Sequence, residues 1–203
     1  MGYDAMCPGS VDLLHDGAVL AAARAYVSFP FVASNLRWNG LKPSWIEEYC
    51  LITRGGMRVA VLGLLNPERF SPKRPVSGGF SIEDPAVSLK RLLATIGDKA
   101  DATVLLSRMG YDDTLTLVDE IEGIDIAICA DEGRPARAGD GTRTHLVPAG
   151  YKAMALGLLT IVINEEGLVS VTEDRTLSLD DSVHDDEAVN ILIEEVKASY
   201  GFK

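Results

Sequence analysis

Three short stretches carry the side chains able to do chemistry. The first, GYDAMCPGSVDLLHDG, holds a thiol at Cys7, a hydroxyl at Ser10, a carboxylate at Asp12 and an imidazole at His15. The second, LLSRMGYDD, places Arg108 directly after an apolar run. The third, ICADEGRPARAGDGTR, follows another apolar run with Cys129, Asp131 and the arginines Arg134, Arg137 and Arg143. Thiols, imidazoles and carboxylates ligate metals, and thiols exchange electrons. Guanidinium groups hold phosphate or carboxylate bidentately. Each feature also has a plainer reading. A free cysteine is most often a small buried hydrophobe, and RPARAGDGTR has the Gly, Pro and charge content of a solvated loop. His145, in THLVPAG, reads as structural, and Cys50, within an ordinary strand pattern, reads as a core residue.

The elements that must position these groups follow from periodicity and turn chemistry. DGAVLAAARAY, 16–26, is alanine-rich with an acidic start and predicts a helix. FPFVASNL reads as a short buried strand. WIEEYCLITR and MRVAVLGLL flank Gly55-Gly56, a turn able to take the positive φ of a tight hairpin, so the two strands pair antiparallel. After the loop PERFSPKRPVSGGFS, Asp84 caps a helix with Pro85 in its first turn, and Leu89, Leu92, Leu93 and Ile96 line one face. ATVLLS is an apolar strand, DTLTLVDEI a helix and IDIAICA another strand, a run suited to a parallel sheet covered on both faces. THLVPAG, LGLLTIVIN and LVSVTEDRTL read as further strands. VHDDEAVNILIEEVKASY closes as a helix, its acidic start DDSVHDDE being a solvated helix-starting segment.

The 203 residues make one α/β domain, with 179–203 a linker-like segment and helix. A net charge of −11 repels a phosphate backbone, and no basic patch offsets it, which excludes nucleic acid as a partner. No apolar run is long enough for a membrane span. The three cysteines, Cys7, Cys50 and Cys129, fit neither a disulfide framework nor a zinc pattern. Met1 is followed by Gly-Tyr-Asp rather than a basic and apolar leader, so the chain as it stands reads as cytoplasmic, and as exported if a leader precedes it.

Taken in order, GYDAM, FPFVASNL, MRVAVLGLLNPE, GGFSIEDPAVSLKRLL, ATVLLSRMGYDDTLTL, EGIDIAIC, VPAGYKAMALGLLTIVI and SLDDSVHDDEAVNILIEEVK resemble a known domain. It is the calcineurin-like metallophosphoesterase domain of the bacterial 5′-nucleotidase, UDP-sugar hydrolase and 2′,3′-cyclic phosphodiesterase family. The resemblance implies a two-sheet sandwich flanked by helices, with two metal ions on loops at the strand ends. Such ions share a bridging hydroxide and neutralise the charge that develops on the phosphoryl group.

The ligand motifs depart from that pattern. The family loop GYDAM-T-x-GNH, followed by Asp or Glu, is here GYDAM-Cys7-Pro8-Gly9-Ser10-Val11-Asp12, so Ser10 and Val11 stand where Asn and His would act. Valine neither ligates nor transfers a proton. In LSRMGYD, Arg108 replaces a ligand histidine, and arginine stays protonated. The GGHSH motif is replaced by Cys129-Ala130-Asp131-Glu132-Gly133, where Asp131 still offers a carboxylate. The family's opening strand, with its D-x-H motif, would lie before GYDAM.

The resemblance therefore implies a degenerate domain without phosphoesterase activity, retained as a binding or scaffold module for a small molecule or protein, with no cofactor expected. Arg108 and Arg134 are its candidate anion-binding groups. Two rivals stand. The resemblance brings Cys7 and Cys129 to one site near Asp12, His15 and Asp131, as a redox pair or soft-metal centre. A residual nucleotidase would instead require a divalent metal. Without the opening strand the sheet has an open edge, so self-association or an upstream segment completing the sheet is expected.

Overall fold

The computed structural model describes residues 2–13, 17–70, 79–130, 143–150 and 153–201. Its centre is a five-stranded sheet in the order β2-β3-β5-β6-β7. β2 (Tyr49–Arg54) and β3 (Met57–Leu65) form the expected antiparallel hairpin through Gly55-Gly56, both at positive φ. From β3 the sheet is parallel through β5 (Ala102–Arg108), β6 (Ile126–Cys129) and β7 (His145–Pro148).

α2 (Pro85–Ile96) links β3 to β5, by way of the short β4 (Phe80–Ile82). The Asp84 carboxylate accepts from the Val87 N–H at 2.9 Å, which satisfies one of the donors a helix start leaves open. α3 (Tyr111–Glu120) links β5 to β6 and begins two residues before the predicted start. Both helices cover one face of the sheet. Leu89, Leu92, Leu117 and Val118 pack there against Leu62, Leu64, Leu105 and Cys129. Each such side chain contributes roughly 1.5–3 kcal/mol by leaving water.

The opposite face carries the second layer. Leu13, Phe31, Leu36 and Ile46 pack around Leu65 there. Short pairings build this layer: Met6 with Phe31, Val32 with Glu47, and β1 (Leu36–Trp38) antiparallel to β4. FPFVASNL is not a regular strand. Phe31 and Val32 make isolated bridges and Leu36 opens β1, while between them Ser34 and Asn35 turn their bonds onto β3. Ser34 N–H donates to the Gly63 carbonyl at 2.7 Å and the Asn35 amide pairs with both the N–H and the carbonyl of Leu65. The predicted first helix is shorter than its pattern. α1 spans Ala18–Ala23 and gives way to turns at Arg24.

Beyond β7, β8 (Ala155–Ile163) and β9 (Val169–Ser178) make a separate two-stranded hairpin, and α4 (Glu187–Tyr200) follows. The Asp186 side chain caps α4 by accepting from Val189 N–H at 3.1 Å.

Candidate ligand-binding site

Parallel strands deliver their carboxyl ends to one edge, and ligands in open α/β sheets bind outside that edge. Register places Leu65 opposite Arg108, and Cys129 opposite both Ser107 and Pro148. The segment from Gly2 reaches the same edge. Met6 N–H donates to the Pro30 carbonyl and its own carbonyl accepts from Val32, which fixes the chain before Cys7.

The next residues form a tight, self-closed turn. The Asp12 carboxylate accepts from Gly9 N–H at 2.7 Å, and Leu13 anchors the turn in the core. Ser10 is half-buried and Val11 is 75% exposed. The Arg108 guanidinium lies directly on Gly9. A Cβ at Gly9 would stand 3.0 Å from its Cζ and 3.1 Å from its Nε, and would overlap its Nη2. Among the described residues Arg108 forms no ion pair, and its side chain faces solvent at the strand end.

Cys7 is half-buried and its thiol points at Gly63. Burial pushes this thiol up from 9.0 to about 12, against the opposing pull of Arg108 and with a smaller contribution from Asp12. Cys7 is thus held neutral, the opposite of a reactive thiolate. Burial likewise raises the Cys50 thiol to about 11, with Asp4 and Glu47 adding to the shift. Cys50 is half-buried on β2, short of the core position its pattern predicts.

The structure brings Cys7, Ser10, Asp12 and Arg108 to one place and leaves Cys129 elsewhere. Side chains alternate along a strand. Gly63 and Leu65 face the second layer, as Arg108 does through its pairing with Leu65, whereas Leu64, Ser107 and Cys129 face the helices. Cys7 therefore packs on one face of the sheet and Cys129, fully buried, on the other. All three cysteines are free thiols. Arg143 lies at the opposite end of the strands from Arg108, pairing with Glu122 at 3.1 Å. His145 Nε2 meets Asp174 Oδ2 at 2.8 Å and ties β7 to β9, a structural use. His15, Asp131, Arg134 and Arg137 lie outside the described residues.

One contributor escaped the sequence reading. Asn35 is fully buried, and its side chain bonds Leu65 on both polar atoms and the Glu83 carbonyl at 3.1 Å. It fixes the end of β3 beside Arg108. A polar pair, Ser34-Asn35, inside the otherwise apolar FPFVASNL was the available signal.

The sheet order and the loop at the carboxyl ends define a calcineurin-like metallophosphoesterase fold. Solved structures bear this out. The calcineurin-like phosphoesterase YfkN from Bacillus subtilis superposes with a TM-score of 0.77 at 17% identity, over 97% of this chain and 70% of that one. A 5′-nucleotidase precursor from Thermus thermophilus gives 0.76 at 18% identity, over 97% and 44%.

Sequence relatives agree with that fold: the chain is homologous to proteins named as metallophosphoesterase, 5′-nucleotidase and UshA. The metallophosphoesterase YunD of Bacillus subtilis is 32% identical over 113 residues, 54% of this chain and 23% of that protein. Vibrio cholerae 5′-nucleotidase is 25% identical over 55% of this chain and 21% of its own length. Protein UshA of Yersinia enterocolitica is 25% identical over 77% and 26%. The chain thus aligns with about a quarter of these relatives' length. No family model matches it.

The described side chains do not fit the two-metal centre that the resemblance implies. Asp12 is engaged by Gly9 N–H, Val11 is aliphatic, and the fixed positive charge of Arg108 opposes a dication at the same loop. Among the described residues no group of three or more His, Cys, Asp or Glu converges on a point.

Proposed function

We propose that the chain is a degenerate 5′-nucleotidase-like domain, one unit across 1–203, that binds a phosphate-type anion without hydrolysing it. The observation that carries this reading is Arg108. An exposed guanidinium, unpaired among the described residues, rests on the Gly9 turn where the family pattern puts a metal-binding histidine. It supplies two parallel N–H donors to an oxyanion. Val11 stands where the family's proton-transferring histidine would, and it has no proton to give the leaving group, so a bound phosphoester stays intact. The names of the relatives make a nucleoside 5′-monophosphate the first ligand to try.

The test is calorimetric titration with AMP and with inorganic phosphate, run on the natural chain and on Arg108→Ala. Phosphate release from AMP is followed in parallel with added manganese. Binding should weaken about tenfold or more in Arg108→Ala, the order of one charge-assisted hydrogen-bonded pair. Phosphate release should equal the buffer blank. Metal-dependent turnover, or the same affinity in both proteins, overturns the reading.

A further inference from the structure

The β8–β9 hairpin has two unlike faces. The register pairs Leu159 with Asp174, and Asp174 bonds His145 of β7, so the face carrying Leu159, Ile161 and Ile163 is turned to the body of the domain. Those residues are half-buried. The other face points outward, and six large apolar side chains lie on it: Met154, Leu156, Leu158 and Val162 along one strand, Leu177 and Leu179 along the other. Their exposures run from 37% at Leu158 to 62% at Met154.

The amount and the charge of this face point to one occupant. These side chains expose roughly 500 Å², the upper range for the largest apolar patch of a monomer. Two copies of the face pressed together would remove about 1,000 Å² of apolar surface from water. At the roughly 60% apolar share typical of interfaces, that corresponds to about 1,600 Å² in total, the size of a standard stable interface. Charge supports a like-with-like contact. On a chain of net charge −11 the face carries one acid and one base, Glu173 and Arg175, already paired at 3.0 Å. Identical molecules that repel elsewhere meet without net repulsion here.

We infer that the outward face of the β8–β9 hairpin is the two-fold contact between two copies of this chain. The contact is isologous, each copy presenting the same leucines to the other, with two sheets stacked face to face. The proposal does not depend on the Arg108 reading, because it uses none of that site's residues.

Sedimentation equilibrium of the full chain between about 1 and 100 μM tests this, the range that brackets most stable dimers. The natural chain should run at twice the chain mass. Leu156→Glu and, on the other strand, Leu177→Glu should each raise the dimer dissociation constant about 100-fold, because each buries an unpaired carboxylate at the contact. Circular dichroism and thermal midpoints control for folding, and the variant on the second strand stands in should the first fail to fold. A natural chain that stays monomeric throughout overturns the proposal, as it would if another segment covers this face. So does a dimer that both folded variants retain.

Discussion

At Cys7 the burial of a single thiol sets a measurable dependence on pH. The folded protein holds this group protonated to about pH 12, while an unfolded chain releases the proton near 9.0. The neutral thiol's contribution is therefore complete below pH 9 and is lost as pH rises from 9 toward 12. Urea unfolding at pH 8 and at pH 10.5 should show a steeper loss for the natural chain than for Cys7→Ala. Parallel losses would mean that the thiol ionises as readily folded as unfolded. Iodoacetamide at pH 8 should accordingly modify Cys7 slowly, since the thiolate is the reactive form. Arg108 has the opposite setting: its guanidinium rests on Gly9, exposed at the strand end and without an ion pair among the described residues.

The two layers meet at β3, where close contact is possible because position 63 is glycine. A Cβ there would overlap the Val32 carbonyl oxygen and stand 2.9 Å from Cys7 Sγ. Gly63→Ala should cost about 3 kcal/mol, since backbone on one side leaves little room to relax. Gly55→Ala serves as the comparison. That turn residue has φ +57° but open space around it, so the cost is only the left-handed strain of about 1 kcal/mol. Urea melts of the two variants decide the matter, and equal costs would show that the layers separate easily at Val32. The same region is braced by charge. Arg37 bonds Glu48 at 2.8 Å and Glu83 at 2.7 Å, and Arg91 bonds Glu48 at 2.6 Å, which links β1, the approach to β2, β4 and α2. Burial raises the Glu48 carboxyl, but the two arginines more than offset it and hold it below its ordinary range.

At the scale of the whole molecule, order is unevenly distributed. β3 and β5 sit mid-sheet with fully buried Leu62, Leu64 and Leu105, whereas every described residue of α4 is exposed. Local opening is cheapest where few apolar contacts would be broken. Native-state hydrogen exchange should therefore show the slowest amides in β3 and β5 and the fastest helical amides in α4, with α2 and α3 between. Protection of α4 equal to that of α2 would mean that something covers the helix in solution. His145 and Asp174 make the one side-chain ion pair between the central sheet and the hairpin among the described residues. The peripheral part of the chain thus has the surface to associate, while the central sheet supplies the stability.

Much of this was legible in the chain itself because it depends on neighbours in sequence. Gly55-Gly56 dictates a hairpin wherever it lies, Asp84-Pro85 starts a helix, and the apolar runs at β5 and β6 specify covered parallel strands. The substitutions Ser10, Val11 and Arg108 are likewise readable as types, since a side chain's chemistry travels with it. Sides and distances were not readable. Cys7 and Cys129 separate onto opposite faces because β3 to β6 alternate through a register that only the pairing of distant strands fixes. FPFVASNL turned away from regular strand because Asn35 found Leu65, thirty residues on. Arg108 became a candidate binding group only when the fold laid it on Gly9, ninety-nine residues earlier in the chain. Local propensity writes the elements; which side chains share a face, and so a site, is decided by contacts whose partners are far apart in sequence.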